Sequence, residues 1–469
     1  MIDIILENNL TYIYNLTARD VKDLSDLLSY QIPGAQFIKT KWDKYKKLLS
    51  KTKFKEEYFF PTGLFYLVEK FFLSNNIKFN KIDRRVKPES KKYFSFTHKF
   101  KNPPLRYYQE EIINKCLEKN RGVVEAITGS GKTLTMVNLV KRLSLPTLIV
   151  TPSISILNQF HKILLDAFGK SMVGVVSSKK KEFNKEIIIA NYQTLASEKI
   201  PSDFFDRFDV LCIDEFHHSA SETISNLNKT KFKNIFYRFG FTATFTRGSS
   251  DLMELHGVLN EVIYEYSAPQ AIRDGFLFKP TFALIDYMHN YNAPPSPTPR
   301  EAFKKEYDEC IIKNQAYNDN VVKIAEYVLS QNLSTIVFVD EIEHGEYISK
   351  RLSGSVFVNG KETDGKTEEI VDRFNKGEIR CIVGTSVIGE GVDTVIASCG
   401  IIAAGGKSKI ETMQRVGRIL RPHPTKEIAL LVDFIHRGTK YAEKHSRARE
   451  AIYKREYEVD MIYNPPNLL

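Results

Sequence analysis

The 469-residue sequence is poor in cysteine, with five in all, at positions 116, 212, 310, 381 and 399. No two of them form a C-x-x-C pair, and none joins histidines at zinc-site spacing. This argues against a disulfide framework and for a reducing compartment. Cys212, inside the apolar run Val210–Ile213, reads as a core residue. No apolar run approaches the roughly 18 residues that span a bilayer. The start, Met1-Ile-Asp-Ile-Ile-Leu-Glu, has neither the basic end nor the long apolar stretch of a secretory signal. A soluble, cytoplasmic protein without a membrane partner is expected. A fixed-period repeat is also missing.

What is present is ordinary globular material, 42% hydrophobic and 26% charged. The length suggests roughly three domains. Lys and Arg number 67 against 57 Asp and Glu, a net charge of +10. Residues 1–101 alone hold 20 basic against 11 acidic residues, so nearly all of the excess lies there. A basic block on a near-neutral body points to a polyanion, either nucleic acid or an anionic membrane surface. Composition does not choose between them.

Residues 1–90 mix short apolar stretches with basic ones such as Lys39–Lys47, and Phe59–Phe72 reads as a turn opening an apolar-faced helix. Its aromatic residues fall at helical spacing, which favours core packing over base stacking. Asp83–Lys92 reads as a linker. Residues 91–285 alternate β-branched runs with helical stretches, the pattern of βαβ units and a parallel sheet. The strand candidates are Gly122–Ala126, Thr147–Val150, Ile187–Ala190, Val210–Ile213 and Arg238–Phe241. Residues 286–315, with four prolines between 294 and 299, read as a linker or hinge. A second alternating series fills 316–469, with candidates Thr335–Val339, Val356–Val358, Cys381–Gly384, Ile401–Ala404 and Ala429–Phe434.

The strongest chemical signal is Thr128-Gly129-Ser130-Gly131-Lys132-Thr133, between a strand candidate and a helix. Ala126 stands where the strict phosphate-loop pattern wants glycine. Even so, Gly129 and Gly131 let backbone amides curl around phosphate oxygens at a positively polarised helix start. Lys132 can reach the β- and γ-phosphates, and the Thr133 hydroxyl can ligate Mg²⁺. The bland alternative is a glycine turn that merely begins a helix. The second signal is Val210–Ile213 followed by Asp214 and Glu215. At the C-terminal edge of a parallel sheet Asp214 can hold the metal and Glu215 can activate the attacking water. Alone, such acids can equally cap a buried strand. The two motifs together are much stronger than either.

Their order resembles that of superfamily 2 helicases of the DExH type. Asp214-Glu215-Phe216-His217 resembles the DExH box, Thr242-Ala243-Thr244 the T-A-T motif, and Leu105-Arg106-Tyr107-Tyr108-Gln109 the adenine-reading segment. Thr151-Pro152-Ser153 and Asn191-Tyr192-Gln193-Thr194 occupy the places of strand-contacting motifs. Val383–Asp393 resembles motif V, and Gln414-Arg415-Val416-Gly417-Arg418-Ile419-Leu420-Arg421 resembles motif VI. The resemblance covers residues 100–455. It implies an α/β chain with two RecA-like parallel-sheet domains in tandem after a small basic α+β domain, using ATP and Mg²⁺.

The same resemblance implies roles. Arg106, Gln109, Thr128, Gly129, Ser130, Gly131, Lys132, Thr133, Gly389 and Asp393 would bind nucleotide, with Thr133 and Asp214 at Mg²⁺. Lys132, Asp214, Glu215, Gln414, Arg418 and Arg421 would be catalytic. Arg418 and Arg421, three apart, are expected on one helix face as arginine fingers. His217, Thr242 and Thr244 would couple hydrolysis to nucleic acid. Thr151, Thr194 and Thr385 would touch the phosphate backbone, or cap helices instead. His218 reads as structural. Arg247 and Lys407 are equally readable as phosphate contacts or solvated surface residues. Phe245 departs from the proline common after the T-A-T motif.

The basic front and Phe60-Pro61-Thr62-Gly63-Leu64 resemble phage UvsW-type helicases, which remodel branched DNA. With no nuclease motif or zinc cluster, the layout suits branch migration in recombination and repair more than a restriction translocase. A phage origin rests on this resemblance. The implied partner is forked or branched DNA, engaged by a monomer with no obligatory protein partner. An RNA helicase or ribonucleoprotein remodeller is the alternative, and a non-catalytic DNA-binding scaffold a third reading.

Overall fold

The computed structural model describes the chain apart from residues 33–43, 53–56, 92, 216–220, 244–251, 361–365, 386–387, 389–393 and 469, and the side chains at 202 and 221. Two compact units divide it: residues 1–126 with 131–265, and residues 127–130 with 266–469. No helix among the described residues is long and apolar enough to cross a membrane.

The first unit opens with a small α+β module of seven short strands: β1 (Ile2–Leu6), β2 (Leu10–Tyr14), β3 (Ser29–Gln31), β4 (Tyr45–Lys47), β5 (Ser50–Lys51), β6 (Tyr58–Pro61) and β7 (Phe79–Asp83). β1 and β2 alternate buried and half-buried side chains, as strands of a sheet with one covered face do. The mixed sheet runs β5-β6-β2-β1-β7, with β1 and β7 parallel and the other pairs antiparallel, while β3 and β4 pair separately. Helices Ala18–Leu27 and Phe65–Ser74 share its core, which holds Ile4, Ile13, Leu24, Phe60, Val68 and Phe72. The described part of the segment after β7 is ordered by the rest of the unit. The Ser90 hydroxyl donates to Ser144 O (2.8 Å), the Phe94 amide to Ser144 Oγ (3.0 Å), and the Thr97 amide to Ala167 O (2.8 Å).

A seven-stranded sheet completes the unit. Its strands are β8 (Arg121–Ala126), β9 (Thr147–Thr151), β10 (Val173–Val176), β11 (Ile187–Asn191), β12 (Val210–Asp214), β13 (Tyr237–Thr242) and β14 (Val262–Tyr266), in the order β10-β11-β9-β12-β13-β8-β14. β9, β11 and β12 are buried at every residue, because helices cover both faces of a parallel sheet. All five expected strands form here, and β10 and β14 add the two edges.

The second unit is built around β15 (Pro280–Met288), β16 (Thr335–Phe338), β17 (Ser355–Val358), β18 (Cys381–Gly384), β19 (Cys399–Ile402), β20 (Ala429–Arg437) and β21 (Met461–Tyr463). Their order is β17-β18-β16-β19-β20-β15-β21. The expectation of a hinge over 286–315 is corrected in part. β15 carries Asp286–Met288 into the sheet beside β20, the helix Pro299–Tyr307 follows, and Cys310 and Ile311 are buried in the core. Only 290–298 behaves as the proline pattern suggests, without regular structure. The fourth strand candidate of this unit also shifts, from Ile401–Ala404 to Cys399–Ile402.

Candidate nucleotide-binding site

Parallel strands deliver their C-terminal ends to one edge, and the first unit collects its motif residues there. β8 ends at Ala126, and the helix Lys132–Leu143 starts six residues later. Gly129 (φ 89°) and Gly131 (φ 80°) take left-handed conformations that other residues adopt at a cost. A Cβ at Gly131 would also lie 2.6 Å from Gln109 Nε2, so the end of that side chain would have to shift. Gln109 is buried. Its Oε1 accepts from the Arg106 amide (2.9 Å), and its Nε2 makes a long bond to Gly131 O (3.5 Å). The glutamine expected to read adenine thus lies directly against the phosphate loop. Arg106 reaches Tyr108 OH through Nη1 (2.9 Å). Thr128 and Ser130 are buried within the loop, and Thr133 sits half-buried in the first helical turn.

β12 ends in Asp214, which is buried, and Glu215 follows at φ 43° with its amide donating to Phe241 O (2.9 Å). This left-handed turn swings the Glu215 side chain out of line with the strand. Lys132 Nζ lies 2.9 Å from Glu215 Oε1 and donates to Ala126 O (3.2 Å). Both motifs therefore converge on one ammonium group. Burial, and next the Glu215 carboxylate, push the Asp214 carboxyl up to about 7, against the pull of Lys132. A divalent cation beside it favours the carboxylate form instead.

The remaining expected residues of the first unit are placed unevenly. Thr242, the last residue of β13, is fully buried; Thr244 and His217 lie outside the described residues. Thr151 and Thr194 belong to neighbouring strand ends, since Thr151 pairs with Asn191, which caps the short helix Tyr192–Leu195. Asn191 Nδ2 ties the two loops by donating to Pro152 O (3.0 Å). Thr194 is half-buried. Thr151 is buried, with its hydroxyl 3.4 Å from Ala190 O and 3.5 Å from Ser153 O, so the structure uses it as a backbone tie.

In the second unit Thr385 follows β18 and donates its amide to Val358 O (3.2 Å), while Gly389 and Asp393 lie outside the described residues. Gln414 and Arg418 are buried on the helix Lys409–Ile419. Arg421 corrects the expectation of two arginines on one helix face. The helix stops at Leu420, and Pro422 disfavours helical geometry in the residue before it. Two supports went unread in the sequence. Arg415 Nη2 meets Asp340 Oδ1 at 2.7 Å, and Tyr307 OH donates to Asp340 Oδ2 (2.9 Å). Burial raises the Asp340 carboxyl, and Arg415 overrides it to hold the group below its ordinary range. Lys426 is buried and donates to Ile419 O and to Arg421 O (3.0 Å), satisfying carbonyls that the helix end leaves open. Burial, with Arg421 nearby, lowers its ammonium to about 7. Its only sequence signal is a lysine shortly after a helix end.

Comparison with known proteins agrees with this geometry. Residues 102–247 match the family model of the type III restriction enzyme res subunit, and residues 319–423 match the helicase conserved C-terminal domain. The Rad25 protein of Haloarcula marismortui is 28% identical over 364 residues, covering 74% of this chain and 56% of its own length. The chain thus spans little more than half of that relative. The ATP-dependent DNA helicase uvsW of Enterobacteria phage T4 is 23% identical over 349 residues, covering 70% of this chain and 68% of its own. Among solved structures, S. cerevisiae Dbp5 bound to RNA and ADP BeF3 aligns with a TM-score of 0.55 and 15% identity, covering 76% of this chain and 89% of that one. That likeness shows the fold, two RecA-like domains. With both domain models in motif order, the chain belongs to the superfamily 2 helicases.

Proposed function

We propose that the chain is an ATP-dependent DNA helicase or translocase that unwinds or branch-migrates forked and four-way DNA. The observation that carries the motor reading is the convergence of Lys132 and Glu215, 2.9 Å apart, at the strand ends where a phosphate loop and two acids meet. Backbone amides beside Gly129 and Gly131 receive the phosphates, and Lys132 exchanges its Glu215 contact for them. Glu215, released, orients the attacking water. Asp214 and the Thr133 hydroxyl offer the oxygen ligands that Mg²⁺ takes. Mg²⁺, when bound, supplies charge neutralisation on the phosphates. Gln414, Arg418 and Arg421 act on the γ-phosphate, and Gly389 and Asp393 assist nucleotide binding. His217, Thr242 and Thr244 relay hydrolysis to the strand gripped near Thr194 and Thr385.

DNA as the substrate is supported by the named activity of the uvsW relative. The branched form is supported by the basic front, 20 Lys and Arg against 11 Asp and Glu over 1–101, which can neutralise a second duplex arm. The test is ATP-driven separation of a four-way junction into duplex products, with junction affinity followed between about 50 and 200 mM salt. ATP-dependent product and a steep loss of affinity are expected. Affinity that ignores salt, or product formed equally without ATP, contradicts the reading.

A further inference from the structure

The N-terminal module does not hang on the first sheet by its linker alone. It meets the helix Leu252–Leu259 at near-backbone contact, and it also reaches the helix Ser221–Thr230, where Asn9 Nδ2 donates to Asn228 O (3.2 Å), and β8, where Arg121 Nη2 donates to Asn8 O (3.0 Å). A Cβ on Gly63 would fall 1.9 Å from His256 O, and one on Gly257 would fall 2.8 Å from Pro61 Cβ, so both sides need glycine. Met253 packs against the module's own hydrophobic core. Beside it Glu254, only 1% exposed, is held wholly by the module: Tyr30 OH donates to its Oε1 (2.5 Å) and Lys46 Nζ lies 2.6 Å from the same oxygen. One lysine of the basic front, half-buried Lys46, is therefore spent on contacts within the protein, to Glu254 and to Glu222 (3.2 Å).

The other face of the same helix belongs to the sheet. Leu255, Val258 and Leu259 are buried in one core with Val123 of β8, the strand that feeds the phosphate loop, and Ile213 of β12, which precedes Asp214. Eight residues thus join the module's core to the two strands that carry the nucleotide motifs. Close packing transmits displacement because it leaves no slack.

We propose that the helix Leu252–Leu259 is a transmission element, with Gly63, Gly257 and the Tyr30–Glu254–Lys46 contact as positioning residues. A DNA arm held by the module then raises ATP turnover through this helix. The inference rests on the reading that the module holds such an arm. Glu254→Gln removes the buried charge without changing size, Tyr30→Phe removes one hydrogen bond, and Gly63→Ala forces the surfaces apart.

Each full-length variant is measured for junction affinity, hydrolysis without DNA, junction-stimulated hydrolysis and thermal unfolding. Glu254→Gln is expected to keep junction affinity and DNA-free turnover near wild type while stimulation falls about fivefold. Tyr30→Phe should show about a twofold loss, and Gly63→Ala a larger one. A merely structural contact would lower melting temperature without separating stimulation from DNA-free turnover. Wild-type stimulation in folded Glu254→Gln and Tyr30→Phe overturns the proposal. The underlying reading fails separately: if Lys70→Ala with Lys78→Ala and Arg84→Ala leaves junction affinity unchanged, the module holds no arm and the transmission has no input.

Discussion

The two large sheets share one topology and divide the chemistry unequally. Numbered from the first strand of each, both run 3-4-2-5-6-1-7. In the first sheet the first strand, β8, opens into Gly129-Ser130-Gly131-Lys132, and the fifth, β12, ends in Asp214 and Glu215. At the same stations of the second sheet, β15 runs into His289 and a proline loop, and β19 into Ala403-Ala404-Gly405-Gly406. No glycine-rich phosphate loop follows β15, and no acids follow β19, where Gly405-Gly406-Lys407 stands instead. The second sheet instead spends its ionic groups on support. Arg449 pairs with Asp433 through two bonds of 2.8 and 2.7 Å, with Tyr453 OH on the same carboxylate (2.8 Å), all fully buried. A common scaffold therefore carries the phosphate-loop and acid motifs in one copy and the arginine-bearing helix in the other.

That division can be broken at its strongest points. Arg449→Met leaves Asp433 without its counter-charge in the core and should cost about 3–5 kcal/mol of folding stability. Calorimetry should show the loss in the second unit, with nucleotide binding by the folded fraction retained. Lys132→Ala should leave melting nearly unchanged and lower hydrolysis by at least about 10²-fold, as loss of a preorganised phosphate ligand does. If both substitutions shifted stability and turnover alike, the division of labour would be wrong. Gly405→Ala is milder. Its Cβ would lie 2.2 Å from the Tyr307 ring, an overpacking worth about 1–3 kcal/mol, readable by denaturant titration.

The smallest effect is an acid response in the second unit. Burial lowers His289 and His344 to about 4 in the second unit, and holds His436 well below its ordinary range. In the folded state they stay neutral while the unfolded chain binds protons below about 6.5. Stability from these groups is therefore complete above that pH and falls as pH drops towards 4. The second unit should melt progressively earlier across this window, and His344→Gln should reduce the slope. An acid response unchanged by that substitution would remove His344 from the account.

Much of this was legible in the sequence because buried parallel strands are continuous apolar runs, such as Val210–Ile213, and because phosphate chemistry demands glycine and lysine in a short window. The edges were harder. β10 contains Gly174, β21 has three part-exposed residues, and β15 begins at Pro280 and runs towards a proline cluster that dominates the local pattern. Tertiary pairing with β20 makes β15 a strand; its own composition does not. Arg421 departs from the helical spacing that relates it to Arg418 because Pro422 ends the helix before it. The Glu254 contact was invisible, since a carboxylate within an ordinary helix shows no sign of the lysine 208 positions earlier that pairs with it.

The most direct test of the account is steady-state ATP hydrolysis by the full chain, alone and with a four-way DNA junction, single-stranded DNA or single-stranded RNA, with Glu215→Gln as control. The account predicts stimulation by DNA, greatest with the junction, and turnover at background in Glu215→Gln. Stimulation by RNA alone, or no hydrolysis above the Glu215→Gln level, would contradict it.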